Sequence, residues 1–213
     1  ALIGCRPTEV LVCSTGRIGR RLPIDRIAEA IQRMNPKPGP EAAQAAARAI
    51  MTSDTVPKES AVRVRLADAH FAVGGMAKGA GMINPDMATM LAVVAVDLTV
   101  AASTLRKALQ VAVEQSFNRI TIDGDMSTND TVIAVATGAG AAPSCEERPD
   151  LLEAFQEALN RVCLELAQKI VRDGESVSRF IVLEVCGARS ARDARRAAEA
   201  IANSTLTNCA CAG

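Results

Sequence analysis

The chain lacks the side chains and the charge imbalance on which several large classes of protein depend. It has no Trp, no Tyr and only four Phe among 213 residues, so stacking platforms for nucleic-acid bases are not expected. Lys+Arg and Asp+Glu both number 24, and a net charge of zero gives no attraction to nucleic acid or to an anionic membrane surface. No apolar run approaches the roughly 18 to 20 residues of a spanning helix. We therefore expect no nucleic-acid partner and no membrane partner.

Metal and disulfide chemistry are also poorly supplied. The one histidine, His70, cannot build a zinc site without well-placed cysteines, and the seven cysteines are odd in number and show no CxxC spacing. We expect no metal, reduced thiols, and a structural or solvent-facing His70. The opening residues ALIGCRPTEV lack the sections of a signal peptide, which favours the cytoplasm, or the mitochondrial matrix in a eukaryote.

Hydrophobic periodicity predicts a mixed α/β fold. Apolar or alternating runs predict strands at 9–13, 61–73 (a hairpin turning near Asp68), 88–100, 131–138 and 179–187, and the glycines of 74–86 predict a loop. Helical periodicity predicts helices at 23–34, 41–51, 103–117, 151–172 and 191–203. In the longest helix, the predicted apolar face consists of Leu152, Phe155, Leu159, Val162, Leu166 and Ile170. We expect a catalytic core over 1–172 and the beginning of a second unit over 173–213.

The most unusual segment is KGAGMINPDMATML, residues 78–91. Its glycines allow backbone to approach a ligand closely, and Thr89 lies at the entrance to a predicted buried strand. A Thr hydroxyl keeps its proton near pH 7 and needs a base to become a nucleophile. Cleavage of the Ala88–Thr89 bond would place an α-amino group, with an ordinary pKa of about 7.7 to 8.0, beside that hydroxyl. From these residues alone, however, a structural Thr89 is the better-supported interpretation.

Five separated blocks, in one order, change that interpretation. The chain resembles the ornithine acetyltransferase (glutamate N-acetyltransferase) family of arginine biosynthesis over nearly its whole length. The family's proteins are roughly twice as long and extend beyond both ends, so this chain is expected to be a central fragment. The matching blocks are CSTGRIG (13–19), IMTSDTVPK (50–58), KGAGMINPDMATML (78–91), SFNRITIDGDMSTNDTV (116–132) and RDGE (172–175).

The resemblance implies a layered αββα-type sandwich of the N-terminal-nucleophile-like ornithine acetyltransferase/aminopeptidase superfamily, with the start of a smaller second α/β unit. It also implies self-cleavage between Ala88 and Thr89, after which Thr89 takes an acetyl group from N-acetylornithine and gives it to glutamate. The Thr15 hydroxyl and the Gly16 backbone N–H would stabilise the oxyanion. In the fourth block, Asp123 and its polar neighbours can simply cap and turn backbone beside the active site.

The resemblance further implies that substrate is bound by Thr52, Lys78 and Glu175 together with Thr89. On the residues alone, Lys78 reads as a surface lysine, Thr52 as a helix-end residue and Glu175 as a loop charge. No cofactor is implied, and acetyl-CoA stays open as a co-substrate. The two cleaved chains are expected to remain together and to form an α2β2 heterotetramer.

Three other interpretations compete with acetyl transfer. STGRIGR after an apolar run looks like a dinucleotide fingerprint, but Pro23 interrupts the required helix and no second strand ending in an acidic residue follows. A same-fold aminopeptidase or amidase would use water as acceptor. A third interpretation is an uncleaved, inactive fragment.

Overall fold

The structure, a computed structural model, describes residues 4–84 and 90–212. Its four strands form one sheet in the order β1-β2-β3-β4, which confirms the mixed α/β prediction. The strands are β1 (Lys58–Arg65), β2 (His70–Lys78), β3 (Leu91–Val96) and β4 (Thr131–Ala136). The helices are α1 (Ile24–Arg33), α2 (Pro40–Ala49), α3 (Ala102–Glu114), α4 (Pro149–Arg172), α5 (Ala191–Ala202) and α6 (Thr205–Ala212).

The strand order follows from the connections. β1 and β2 form an antiparallel hairpin whose turn is closed by the Leu66 amide donating to the Ala69 carbonyl at 2.8 Å, at the predicted turn near Asp68. β3 pairs antiparallel with β2 and parallel with β4. A parallel pair needs a crossover connection, which usually contains a helix, and α3 lies within this one.

Helices α3 and α4 cover one face of the sheet. α4 contacts β1 and β2, while α3 contacts α4 and β4. Five residues of the predicted α4 face are buried, but Leu152 is exposed and Leu151 takes its place. The sequence predicts a β3 buried on both faces, yet Ala95 is exposed because the helices cover only one side. Within the described ranges, no helix combines the length and the apolar character that crossing a membrane requires.

The predicted Gly-rich loop is partly strand. β2 continues through Gly74 and Gly75 to Lys78. A Cβ at Gly75 would lie 3.0 Å from the Val93 carbonyl oxygen and 3.2 Å from a methyl of Leu166. The glycine therefore allows α4 to pack closely on the sheet, a role that composition alone does not distinguish from a turn.

Two predicted strands are not formed. Residues 9–13 and 179–187 contain no strand, and their apolar side chains lie in solvent, with Leu11 71% and Val182 76% exposed. A strand is stabilised by hydrogen bonds to a neighbouring strand, and no described strand pairs with either segment. Helix α6 has no counterpart among the predicted helices. The division into 1–172 and 173–213 stays a prediction.

Candidate active site at one edge of the sheet

The strand register brings three strand ends together. Lys78, the last residue of β2, pairs with Leu91, the first residue of β3, and Leu91 pairs with Thr131, the first residue of β4. We call this end of the sheet, with the loops that adjoin it, the site edge. Ala88 and Thr89 lie outside the described residues, but Thr89 is bonded to Met90, which directly precedes β3.

Lys78 and Thr52, both predicted to bind substrate, meet at the site edge. The Lys78 side chain is buried, with the residue 2% exposed, and its Nζ donates to Thr52 Oγ1 at 3.4 Å. Burial lowers the pKa of Lys78, while the carboxylates of Asp54 and Asp130 oppose that shift. The surface-lysine interpretation of Lys78 is therefore wrong, whereas Thr52 is exposed and accessible from solvent.

A second buried lysine, which the sequence did not indicate, organises the loops around this pair. Lys58 is 1% exposed, and its Nζ lies 2.5 Å from Asp54 Oδ1 and 2.5 Å from Asp173 Oδ2. A buried ammonium group is tolerated when it is paired in this way. Burial alone would raise the pKa values of both carboxyls, but hydrogen bonds hold both below their ordinary value, including bonds from Gly79 and Lys58 to Asp54.

The same two carboxylates fix the backbone beside the predicted substrate residues. Asp54 accepts from the Thr52 amide at 3.1 Å and from the Gly79 amide at 2.7 Å, and Gly79 follows Lys78 directly. Asp173 accepts from the Thr55 amide at 3.0 Å. The cluster of Lys58, Asp54 and Asp173 therefore joins the Thr52 loop, the end of β2 and the loop that carries Glu175.

Glu175 lies against the Gly-rich segment that follows β2. Its amide donates to the Ala80 carbonyl at 2.7 Å. A Cβ at Gly81 would lie 3.0 Å from Glu175 Cδ, so the glycine makes room for this carboxyl group. The structure thus brings Thr52, Lys78 and Glu175, which are distant in sequence, to one side of the sheet.

The predicted oxyanion pair is connected to the site edge through the segment before β4. Asn129 donates from Nδ2 to the carbonyl of Ser14 at 2.9 Å, and Ser14 precedes Thr15 and Gly16. Thr15 is partly buried and Gly16 is exposed. The hydrogen bond explains how an N-terminal turn approaches β4, and the oxyanion roles of Thr15 and Gly16 stay a prediction.

The polar residues before β4 divide into two kinds. Asp123 accepts from the amides of Met82 and Ile83, at 2.5 and 2.9 Å, so the expectation that it holds backbone is confirmed. Asp130, which sequence reasoning missed, accepts from the Met90 amide on Oδ1 at 2.8 Å. Burial raises the pKa of Asp130 to about 6, against the effects of the Met90 amide and of Lys78. A perturbed carboxyl at a strand end is a frequent sign of a functional site.

Comparison with known proteins decides the family. The ArgJ family profile matches residues 1–213. The chain belongs to the ArgJ family. It is 44% identical over 211 residues to the arginine biosynthesis bifunctional protein ArgJ of Symbiobacterium thermophilum, a match that covers 99% of this chain and 52% of that protein. The resemblance that the five sequence blocks indicated is therefore confirmed.

Other ArgJ proteins match to a similar extent. The ArgJ protein of Methylococcus capsulatus is 46% identical over 210 residues, again with 99% of this chain and 52% of the relative covered. The chain spans about half the length of the curated relatives it matches. A crystal structure of ArgJ from Bacillus halodurans is 39% identical, covers 52% of each chain and gives a TM-score of 0.48.

Proposed function

We propose that this chain forms the acetyl-transfer site of a glutamate N-acetyltransferase that acts in arginine biosynthesis. One observation carries the proposal: the register sets buried Lys78 opposite Leu91, two residues after Thr89. A cation for a substrate carboxylate and a hydroxyl nucleophile are thereby brought to the same edge of one sheet. The ArgJ family membership supports the same chemistry.

The proposed reaction begins with cleavage of the Ala88–Thr89 bond. The freed α-amine of Thr89 takes the proton of its own hydroxyl, and the oxygen attacks the acetyl carbonyl of N-acetylornithine. The Thr15 hydroxyl and the Gly16 amide donate to the oxyanion; one such donor is typically worth about 2.7 to 4 kcal/mol of barrier. The amine then protonates departing ornithine, and glutamate attacks the acetyl-Thr89 ester by the same steps in reverse.

Charge explains the proposed roles of the substrate-binding side chains. The Lys78 ammonium suits the carboxylate of an amino-acid substrate, and the Glu175 carboxylate suits the amine end of ornithine. Thr52 Oγ1, within hydrogen-bond distance of Lys78, supplies a polar contact for the amide. Glutamate and N-acetylornithine share the α-carboxylate, so one pocket can serve both half-reactions.

The reaction as proposed uses no metal and no prosthetic group, and acetyl-CoA stays an open second donor. The two pieces remain associated because β3, which begins two residues after the cleavage point, pairs with β2 and β4. Two such pairs would form the α2β2 assembly. We place this enzyme in the cytoplasm, or in the mitochondrial matrix of a eukaryote.

The test is to locate the acetyl group. The purified protein is incubated with N-acetylornithine labelled in the acetyl group, without glutamate, and digested for mass spectrometry. The proposal predicts label on the peptide that begins at Thr89, release of ornithine, and transfer of the label once glutamate is added. Thr89→Ala should give none of these. Label released as acetate whether or not glutamate is present would instead indicate an amidase with water as acceptor, and label on another residue would contradict the proposal.

A further inference from the structure

One buried carboxylate oxygen at the site edge has no role in the mechanism above. Asp130 uses Oδ1 to accept from the Met90 amide at 2.8 Å. Its other oxygen, Oδ2, is buried and has no hydrogen-bond partner among the described residues. A buried polar atom without a partner is costly, so this oxygen calls for a ligand or a donor that the described hydrogen bonds do not supply.

Covalent geometry limits where that donor can be. The amide nitrogen of Met90 and the α-nitrogen of Thr89 are separated by three bonds, whose lengths add up to about 4.3 Å. A carboxylate that holds the amide of the second residue of a chain is therefore within reach of the amine of the first. The register keeps Asp130 there, because Thr131, the next residue, pairs with Leu91.

We propose that Asp130 is a positioning residue for the nucleophile: Oδ1 holds the Met90 backbone, and Oδ2 accepts a hydrogen bond from the α-amine of Thr89. This inference rests on the proposed function. The bond turns the lone pair of the amine toward the Thr89 hydroxyl. A nucleophile, a base and a third group that orients the base form a recurring arrangement in enzymes that use covalent catalysis.

The proton balance defines what Asp130 does. The hydroxyl proton moves to the neutral amine as the Thr89 oxygen bonds to the acetyl carbon, and the resulting ammonium is paired with the Asp130 carboxylate. The ammonium then returns that proton to the departing ornithine nitrogen. Asp130 keeps its negative charge throughout, so the reaction needs it ionised.

The surroundings of Asp130 make this requirement measurable. Lys78 on β2 is the charged group that acts on it, and Asp54 and Lys58 act on Lys78 in turn. Burial holds the pKa of Asp130 at about 6, well above that of an ordinary Asp. Activity should therefore fall on the acid side of about pH 6 in the wild type, in addition to any titration of the amine.

The experiment compares Asp130→Asn with Asp123→Asn in the full-length protein. The amide introduced by Asp130→Asn would keep an oxygen for the Met90 amide but would place an NH₂ group where the second acceptor stood. We expect kcat to fall by about a hundredfold with KM for N-acetylornithine little changed, and the acid limb near pH 6 to disappear. Asp123→Asn, whose carboxylate holds only the Met82 and Ile83 backbone, should keep the wild-type pH profile.

Intact mass shows whether each variant is cleaved. If Asp130→Asn stays uncleaved, the two pieces are coexpressed so that Thr89 becomes the first residue of the second piece, and the same rates are measured. Wild-type kcat and pH profile in Asp130→Asn, while the wild type forms acetyl-Thr89, would overturn the inference alone. A wild type that forms no acetyl-Thr89 would overturn the proposed function and the inference with it.

Discussion

The two ends of the sheet are built from the same strands but treat charge in opposite ways. At the site edge, Lys58 and Lys78 are buried. At the other end, Arg65 and His70 face solvent, and the Asp68 side chain that pairs with Arg148 is 66% exposed. Removing a charge from water costs several kcal/mol even when it is paired, while an exposed pair costs and contributes little. The fold therefore carries its electrostatic cost at one end only.

The pKa directions show the same contrast. The hydrogen bond from Arg148 lowers the pKa of Asp68 in a solvated pair. Burial raises the pKa of Asp130 to about 6, although Met90 and Lys78 act against it. A group that solvent and a cation stabilise is an ordinary surface residue, whereas a group held in its less favourable ionised state indicates a site under functional selection.

The largest expected effect comes from removing the cation that joins three loops. Lys58→Met should lower the free energy of unfolding by about 3–5 kcal/mol at pH 7, because Asp54 and Asp173 would be left buried without their cation. The pKa values of both carboxyls are depressed in the wild type, so their stabilising contribution is present above the ordinary Asp pKa and is lost as the pH falls through the depressed values. The difference between variant and wild type should therefore be smaller at pH 3 than at pH 7, as measured by urea unfolding.

The matched variant at the opposite end is Asp68→Asn. It removes one carboxylate from the Arg148 pair, and Arg148 keeps Asp150. We expect no measurable change in the urea midpoint. A loss as large as that of Lys58→Met would remove the contrast between the two ends.

The second prediction concerns the stability cost of Asp130. Its pKa is raised from 3.8 to about 6, so the stability linked to its protonation is present below pH 3.8 and is lost as the pH rises through 6. In a Thr89→Ala background, which keeps the chain uncleaved, Asp130→Asn should raise the free energy of unfolding at pH 7 by about 1–3 kcal/mol. The gain should vanish between pH 6 and pH 4, and a variant that is less stable at pH 7 would contradict the burial argument.

The smallest expected effect tests the fit between Gly81 and Glu175. Gly81→Ala places a methyl group 3.0 Å from Glu175 Cδ, and the exposed side chain can move away at little cost in stability. KM for N-acetylornithine should rise about three- to tenfold while unfolding changes by less than about 1 kcal/mol. Gly74→Ala is the control, because its methyl would meet Ala61 Cβ at an ordinary 3.6 Å and should leave KM unchanged.

Local pattern predicted those parts of the fold that local interactions decide. The hairpin, α3 and α4 follow from alternation and from helical spacing, which each segment carries by itself. The segments 9–13 and 179–187 have equally apolar sequences, yet a strand also needs a neighbour, and the described strands provide none. The sequence pattern places Gly75 in a loop because the reason for this glycine, the approach of Leu166 and Val93, lies in other elements.

The candidate site divides in the same way. Thr52, Lys78 and Glu175 were identified through family blocks, and the structure adds that they lie together. Lys58 and Asp130 were missed because their contacts join residues 115 and 40 positions apart. Lys58 follows Pro57 in a polar stretch, so only the tertiary fold shows that it is buried.

The claim that Thr89 becomes the head of a new chain beside Lys78 and Asp130 is tested most directly by intact mass of the purified full-length protein. We predict two polypeptides whose junction is Ala88/Thr89 in the wild type, and one uncut polypeptide in Thr89→Ala. A wild-type protein that transfers acetyl groups while remaining a single chain, or that is cut at another bond, would contradict the account.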